Sequence, residues 1–139
     1  MTAPVSLEDI REEFLAVEPR ERLLLLLEYA DDLPPLPARF GDSPDLLERV
    51  PECQAPVFVR AEVDGGVVHV HATAPPEAPT TRGFASVLAH GLDGLTRDEA
   101  LAVPDDFPDT LGLTAAVSPL RLRGMSGMLA RIKRQLREA

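Results

Sequence analysis

Cys53 is the residue of this sequence whose setting most favours covalent chemistry. It is the one cysteine in 139 residues, and Pro51 and Pro56 flank it. Each proline fixes its own φ at about −65° and favours extended backbone in the residue before it, so we expect a stiff loop with the thiol near its apex. Cysteines that fill a core act as small hydrophobes, but the neighbours here are Glu52 and Gln54. Because functional residues concentrate on loops held by rigid scaffolds, this thiol is predicted either to react covalently or to dock on a partner.

If a histidine lay close to Cys53, the thiol could belong to a cysteine–histidine pair or to a metal site. The chain has His69, His71 and His90, so a cysteine–histidine pair or a metal site is conceivable. His69 and His71 share one face of a strand and could in principle bind a metal together with Cys53. The spacing lacks the usual Cys-x-x-Cys or His-x-x-x-His pattern. We therefore predict that both histidines lie on the polar face of a hairpin and that there is no metal site.

The charge distribution points to a protein partner rather than to nucleic acid. The net charge is −9, which disfavours binding to a phosphate backbone. Residues 120–139 contain six cations and one anion, a net of +5, so the other residues carry −14. An acidic body with a basic final helix could steer a charged protein partner. Four of the six cations lie late in that helix, where they also complement its dipole.

The length predicts one domain over residues 1–139, and the features below make the cytoplasm its expected location. A lone cysteine forms no internal disulfide, so the fold does not require an oxidising compartment. No basic segment followed by an apolar stretch opens the chain. The longest apolar run, residues 23–27, is far shorter than the roughly 20 residues of a membrane span. We expect no membrane association.

The N-terminal half is predicted to form two helices followed by strands. A capping box at Ser6 starts a helix that ends near Val17. A second helix is predicted over residues 19–32, before a proline-rich connection. Its core-facing residues are predicted to be Leu23, Leu24, Leu26, Leu27 and Ala30. Residues 46–50 suggest a short strand, and residues 57–63 and 67–73 alternate in polarity around Asp64-Gly65-Gly66, which predicts a β-hairpin.

The C-terminal half is predicted to form helices. Thr80 or Thr81 is expected to cap a third helix that glycines at 91 and 94 terminate. A capping box at Thr96 opens a short helix, and Ser118 with the following proline opens the last one. The apolar stripe of this last helix is Met125, Met128, Leu129, Ile132 and Leu136. The expected fold is α+β, a small antiparallel sheet with helices packed on one face.

Three segments of the chain together match the pattern of one protein family. Residues 50–58, Val-Pro-Glu-Cys-Gln-Ala-Pro-Val-Phe, are similar to the family's cysteine loop. Residues 81–84, Thr-Arg-Gly-Phe, resemble its basic-Gly-apolar step after the hairpin. Residues 118–125, Ser-Pro-Leu-Arg-Leu-Arg-Gly-Met, resemble the opening of its final helix. With these segments in order along nearly its whole length, the chain resembles the SufE family of sulfur-acceptor proteins, which implies a SufE/IscU-like fold.

This resemblance implies a function in sulfur transfer. SufE proteins accept the terminal sulfur of a persulfide from a pyridoxal-phosphate-dependent, SufS-like cysteine desulfurase. They pass it to a SufB-like scaffold for iron–sulfur clusters and stimulate the desulfurase, as accessory proteins rather than stand-alone enzymes. The expected protein carries no cofactor of its own and is a monomer or weak homodimer. A non-covalent activator of a desulfurase and a redox-sensing thiol protein are the alternative interpretations.

The resemblance also assigns roles to particular residues. Cys53 becomes the persulfide-carrying nucleophile, and Arg121 matches an arginine near the cysteine loop. Gln54, Glu77 and Arg82 match supporting positions. The sequence departs from the family pattern most visibly next to the cysteine, where Glu52 replaces a frequent glycine and alanine follows Gln54 in place of serine.

Overall fold

The computed structural model describes residues 7–41 and 44–139, so the expected capping box at Ser6 lies outside the described residues. The helices are α1 (Leu7–Ala16), α2 (Arg22–Asp31), α3 (Ala38–Gly41), α4 (Pro79–Leu92), α5 (Arg97–Leu101) and α6 (Pro119–Glu138). The strands are β1 (Glu48–Arg49), β2 (Phe58–Asp64) and β3 (Val67–Thr73). Short 3₁₀ turns span Pro19–Glu21, Pro44–Leu46 and Phe107–Thr110.

The three strands form an antiparallel sheet in the order β1-β2-β3. Gly65 and Gly66 link β2 to β3 with φ values of +60° and +82°, the pair of positive angles that a tight type I′ hairpin turn requires. Alternate residues of β2 and β3 are buried against α4 and α6. The predicted α+β fold, with a small antiparallel sheet beneath helices, is confirmed.

Helix α4 differs from the sequence prediction at its start and near its end. It begins at Pro79 after Ala78, which provides no side-chain cap, so the expected caps at Thr80 or Thr81 are wrong. Proline suits the first helical position because its φ is already helical. Gly91 is also not a terminator, since it lies inside the helix and a Cβ there would collide with the side chain of Leu7. This glycine allows α1 to pack closely on α4.

Helix α2 buries fewer leucines than its sequence suggests. Leu26 and Ala30 are buried, whereas Leu24 is 62% exposed, so its predicted place in the core is wrong. Two residues correspond to about 200° of helix rotation, which places Leu24 opposite Leu26. In a run of five leucines the apolar pattern alone cannot determine which face is buried.

Helix α6 follows the sequence prediction closely. Ser118 caps it, its Oγ accepting a hydrogen bond of 3.3 Å from the Arg121 backbone N–H. All five residues of the predicted stripe are buried. The buried Gln135 accepts a hydrogen bond of 2.7 Å from the Ala61 backbone N–H, so α6 is attached to β2 by a polar contact as well as by apolar packing.

Candidate functional site

The cysteine loop, residues 51–56, connects β1 to β2 and is closed at its base by main-chain pairing. The Val50 N–H donates to the Val57 carbonyl at 2.9 Å. The Cys53 N–H donates back to the Val50 carbonyl at 3.1 Å. Val50 and Val57 are both fully buried. Apolar anchors therefore hold both ends of the loop, next to the edge of the sheet.

The thiol at the apex of this loop is buried. Cys53 is only 4% exposed, although Glu52 and Gln54 on either side are exposed. The loop lies on α6 where that helix has two glycines. A Cβ at Gly124 would come 3.0 Å from the Cys53 Sγ, and a Cβ at Gly127 would come 2.8 Å from the Glu52 Cδ. Gly124 and Gly127, the glycine groove, thus let the loop approach the helix directly.

Ion pairs connect the loop and β1 to the same helix. Nη1 of Arg131 lies 2.6 Å from Oε2 of Glu52, and Nε of Arg131 lies 3.6 Å from Oε2 of Glu48. Arg134 also pairs with Glu48, and Gln135 donates to Oε1 of Glu48 at 2.9 Å. Three residues of α6 therefore hold the strand that leads into the loop, and Arg131 holds the loop itself.

This environment keeps the thiol protonated. Burial, reinforced by the adjacent Glu52 carboxylate and opposed by Arg131, raises the pKa of Cys53 to about 11. A thiolate is the nucleophilic form of cysteine. In this conformation Cys53 is consequently protected, and reaction requires the loop to move or a partner to change its surroundings.

A cavity of about 470 Å³ lies beside the cysteine loop. Three segments form its walls: residues 52–55, residues 77–81, and the start of α6 with Ser118 before it. Three of the predicted supporting residues, Gln54, Glu77 and Arg121, line this cavity together with Cys53. The fold therefore brings together residues that are far apart in sequence, in a space open to a ligand or a partner segment.

Arg121 lines the cavity without a partner among the described residues. Its side chain is exposed, and within residues 7–41 and 44–139 its guanidinium makes no hydrogen bond or ion pair. The cation that contacts the cysteine loop is Arg131, ten positions further along α6. Arg121 is thus available to a group that enters the cavity.

Arg82 is the one predicted supporting residue that does not line the cavity. Its Nε donates to the Ala30 carbonyl at 2.9 Å, and its Nη1 donates to the Ala74 carbonyl at 2.7 Å. These bonds join the end of α2, the chain after β3 and the first turns of α4. The side chain positions the wall segment that contains Glu77.

The histidines lie away from the thiol. His69 makes a 2.8 Å contact with Asp93, and His71 lies 3.2 Å from Glu62 and packs on Phe40. Neither one lines the cavity beside Cys53. In the part of the chain that the structure describes, no three His, Cys, Asp or Glu side chains are grouped as a metal would need. Among the same residues, no helix combines the length and apolarity needed to cross a bilayer.

Sequence reasoning misses the residues that hold the loop. From the sequence, Gly124 is noticed only as part of a motif, and no role at the site is predicted for Gly127 or Arg131. The sequence does contain a signal, because two glycines three residues apart lie inside the helix next to its apolar stripe, where each glycine is costly relative to alanine. The pairing of Arg131 with Glu52 spans 79 positions and follows only from the fold.

Comparison with known proteins identifies the class. Residues 8–136 match the family model for SufE, the Fe-S metabolism associated domain. An uncharacterized SufE-like protein of Mycobacterium tuberculosis is 54% identical over 144 residues, which cover 100% of this chain and 99% of that protein. SufE-like protein 1 of Arabidopsis thaliana, chloroplastic/mitochondrial, is 33% identical over 127 residues, or 91% of this chain and 33% of that protein.

A solved structure agrees with these matches. The solution structure of a hypothetical protein from Thermus thermophilus superposes with a TM-score of 0.85 at 41% identity, covering 99% of this chain and 98% of the other. The chain belongs to the SufE family. Its role accordingly lies in iron–sulfur metabolism, with sulfur transfer as the activity of the family.

Proposed function

We propose that this protein accepts persulfide sulfur from a cysteine desulfurase on Cys53 and relays it to a scaffold that assembles iron–sulfur clusters. The observation that carries the proposal is the position of Cys53, on an anchored loop beside a cavity, in a chain of the SufE family. SufE proteins work with cysteine desulfurases, and a pyridoxal-phosphate-dependent, SufS-like enzyme is the proposed donor. A SufB-like scaffold is the proposed acceptor, and the cytoplasm is the proposed location.

The transfer is a thiol exchange on sulfur. The Cys53 thiolate attacks the outer sulfur of the donor persulfide, a new sulfur–sulfur bond forms on Cys53, and the donor cysteine leaves as a thiolate. Electrons balance without an external oxidant, and the proton of Cys53 is lost before attack. The raised pKa of Cys53 means that the loop must move, or the donor protein must change the surroundings of the thiol, before attack. We propose that contact with the desulfurase promotes this movement and that the return of the loop protects the persulfide, which is prone to oxidation.

The walls of the cavity supply the supporting residues. Gln54, Glu77 and Arg121 line the space that an incoming persulfide or its carrier loop would enter. Arg121 offers several donors in a fixed plane, and none of them is used within the described residues. We propose that it contacts the donor's anionic sulfur or main-chain carbonyls. Arg82 supports the wall through its two main-chain carbonyl contacts.

The substitution Cys53→Ser tests this function. A hydroxyl of similar shape keeps the loop in place but cannot carry a persulfide, so we expect no sulfur loading and no relay. Desulfurase turnover is measured with the wild type and with the variant, together with delivery of sulfur to the scaffold. If Cys53→Ser still relays sulfur, the covalent mechanism is wrong. Full stimulation of the desulfurase with no loading of wild-type protein would favour the non-covalent activator instead.

A further inference from the structure

Arg131 pairs with both the cysteine loop and the strand that leads into it. It projects from the middle of α6 and contacts two carboxylates, Glu52 in the loop and Glu48 in the strand before it. Its side chain is only 22% exposed, against 39% for Glu52. Its Nη1 also donates to the Gly127 carbonyl at 3.3 Å, which fixes the guanidinium above the glycine groove.

The loop has few other attachments. Its base is closed by the pairing of Val50 and Val57, and the Cys53 N–H bonds within the turn. Among the described residues, the pair between Glu52 and Arg131 is the only side-chain hydrogen bond or ion pair that joins residues 51–56 to the rest of the protein. Apolar contact holds the thiol down, and one ion pair holds the residue next to it.

We propose that Arg131 is a positioning residue for Cys53, which acts through Glu52 to keep the loop in the glycine groove and the sulfur inside. This role rests on the proposed sulfur-acceptor function, because a carried persulfide needs protection between donor and scaffold. Arg131 does not touch the reacting atoms. It sets how often the loop opens, and therefore how often Cys53 reacts with anything that reaches it.

The charges around the thiol bear on whether removal of Arg131 speeds or slows the reaction of Cys53. Glu52 adjoins it and pairs with Arg131 of α6, whereas Arg134 of α6 pairs with Glu48 on β1. Glu77 and Arg121 line the neighbouring cavity. If Arg131 mainly stabilised a buried thiolate, its removal would slow the reaction. If it mainly holds the loop closed, its removal speeds the reaction, because the open thiol is both accessible and more easily ionised.

Alkylation of Cys53 by iodoacetamide separates these cases. A partly exposed ion pair contributes up to about 1 kcal/mol, and about 1.4 kcal/mol corresponds to a tenfold change in an equilibrium constant. Cys53 in the Arg131→Ala variant should therefore react about twofold to fivefold faster than in the wild type from about pH 7 to 9. Arg134→Ala is the matched control, since it removes a cation one turn further along α6 that pairs with Glu48 but not with Glu52. We expect its rate to equal that of the wild type.

A double-variant cycle shows whether the effect passes through Glu52. If it does, Glu52→Gln combined with Arg131→Ala reacts no faster than the faster single variant, and Arg131→Lys restores part of the slow rate. Urea titrations with matching midpoints for Arg131→Ala and Arg134→Ala exclude global unfolding as the cause. An unchanged or slower rate in Arg131→Ala overturns the proposal, as do multiplicative effects in the double variant or equal acceleration in Arg134→Ala.

The same variants, loaded with sulfur, test the consequence for transfer. Cyanide removes the outer sulfur of a persulfide as thiocyanate and leaves the Cys53 thiolate. We expect Arg131→Ala to release thiocyanate faster than the wild type by the same factor as in alkylation. Alkylation does not depend on sulfur acceptance, so a chain that never loads sulfur would refute the proposed function while leaving the positioning role of Arg131 measurable.

Discussion

Replacement of Gly127 by alanine should expel the cysteine loop from α6 while leaving the rest of the fold intact. The new Cβ would lie 2.8 Å from the Glu52 Cδ and 2.9 Å from the Glu52 Cβ. The second of these atoms is fixed to the loop backbone, so a rotation of the Glu52 side chain does not relieve the contact. The loop must shift, and the pair with Arg131 must break or stretch.

The size of the effect of Gly127→Ala follows from two opposing free-energy contributions. Alanine stabilises a helix interior by about 0.5–1 kcal/mol relative to glycine, whereas overpacking costs about 1–3 kcal/mol. Because the loop can leave its place, the overpacking acts on loop opening rather than on global stability. We expect the free energy of unfolding to change by less than about 1 kcal/mol. Loop opening should rise about fivefold to 150-fold, since about 1.4 kcal/mol corresponds to tenfold.

Alkylation across pH is the assay, with urea unfolding in parallel. Wild-type alkylation should keep rising above about pH 9, because burial raises the pKa of Cys53 to about 11. The Gly127→Ala profile should level off closer to the ordinary cysteine value of about 8.5. Ser126→Ala is the control, since it changes the adjacent residue of the same helix without adding a Cβ. A Gly127→Ala rate within about twofold of wild type would refute the reasoning, as would a loss of more than about 3 kcal/mol in unfolding.

Two further predictions concern other residues of α6. Ile132→Ala should lower the free energy of unfolding by about 2–4 kcal/mol, because Ile132 is 1% exposed; a change under about 0.5 kcal/mol in urea titration would mean that its packing is loose. Arg121→Ala should alter Cys53 alkylation with less than about 1 kcal/mol change in stability, since Arg121 lines the cavity. Arg123→Ala, which removes the same charge outside the cavity, should leave alkylation unchanged, and identical profiles for both variants and the wild type would assign Arg121 no role at the thiol.

Much of the fold could be predicted from local patterns in the sequence. The hairpin has alternating polarity and two adjacent glycines, and α6 has both a cap and a regular stripe. These signals need no knowledge of distant contacts. The predictions for Leu24 and Gly91 fail for the opposite reason, since a uniform leucine run hides the buried face, and a glycine that admits Leu7 looks in sequence like a helix stop.

The site was predictable in part. The prolines around Cys53 indicated an anchored loop, and the family resemblance supplied Gln54, Glu77 and Arg121, which do line one cavity with it. Burial of the thiol was not predictable, because its sequence neighbours are polar and the covering surface comes from α6. The contact between Glu52 and Arg131 depends on the same docking, so no local pattern could reveal it.

The central claim is that Cys53 itself carries sulfur, and the mass of the protein after reaction tests it most directly. The purified chain is incubated with a cysteine desulfurase and cysteine, and its intact mass is measured before and after a reductant. We predict an added mass of about 32 Da, one sulfur atom, that maps to the peptide containing Cys53 and disappears on reduction. Absence of that adduct on wild-type protein, with an active desulfurase that the chain still stimulates, would contradict the account.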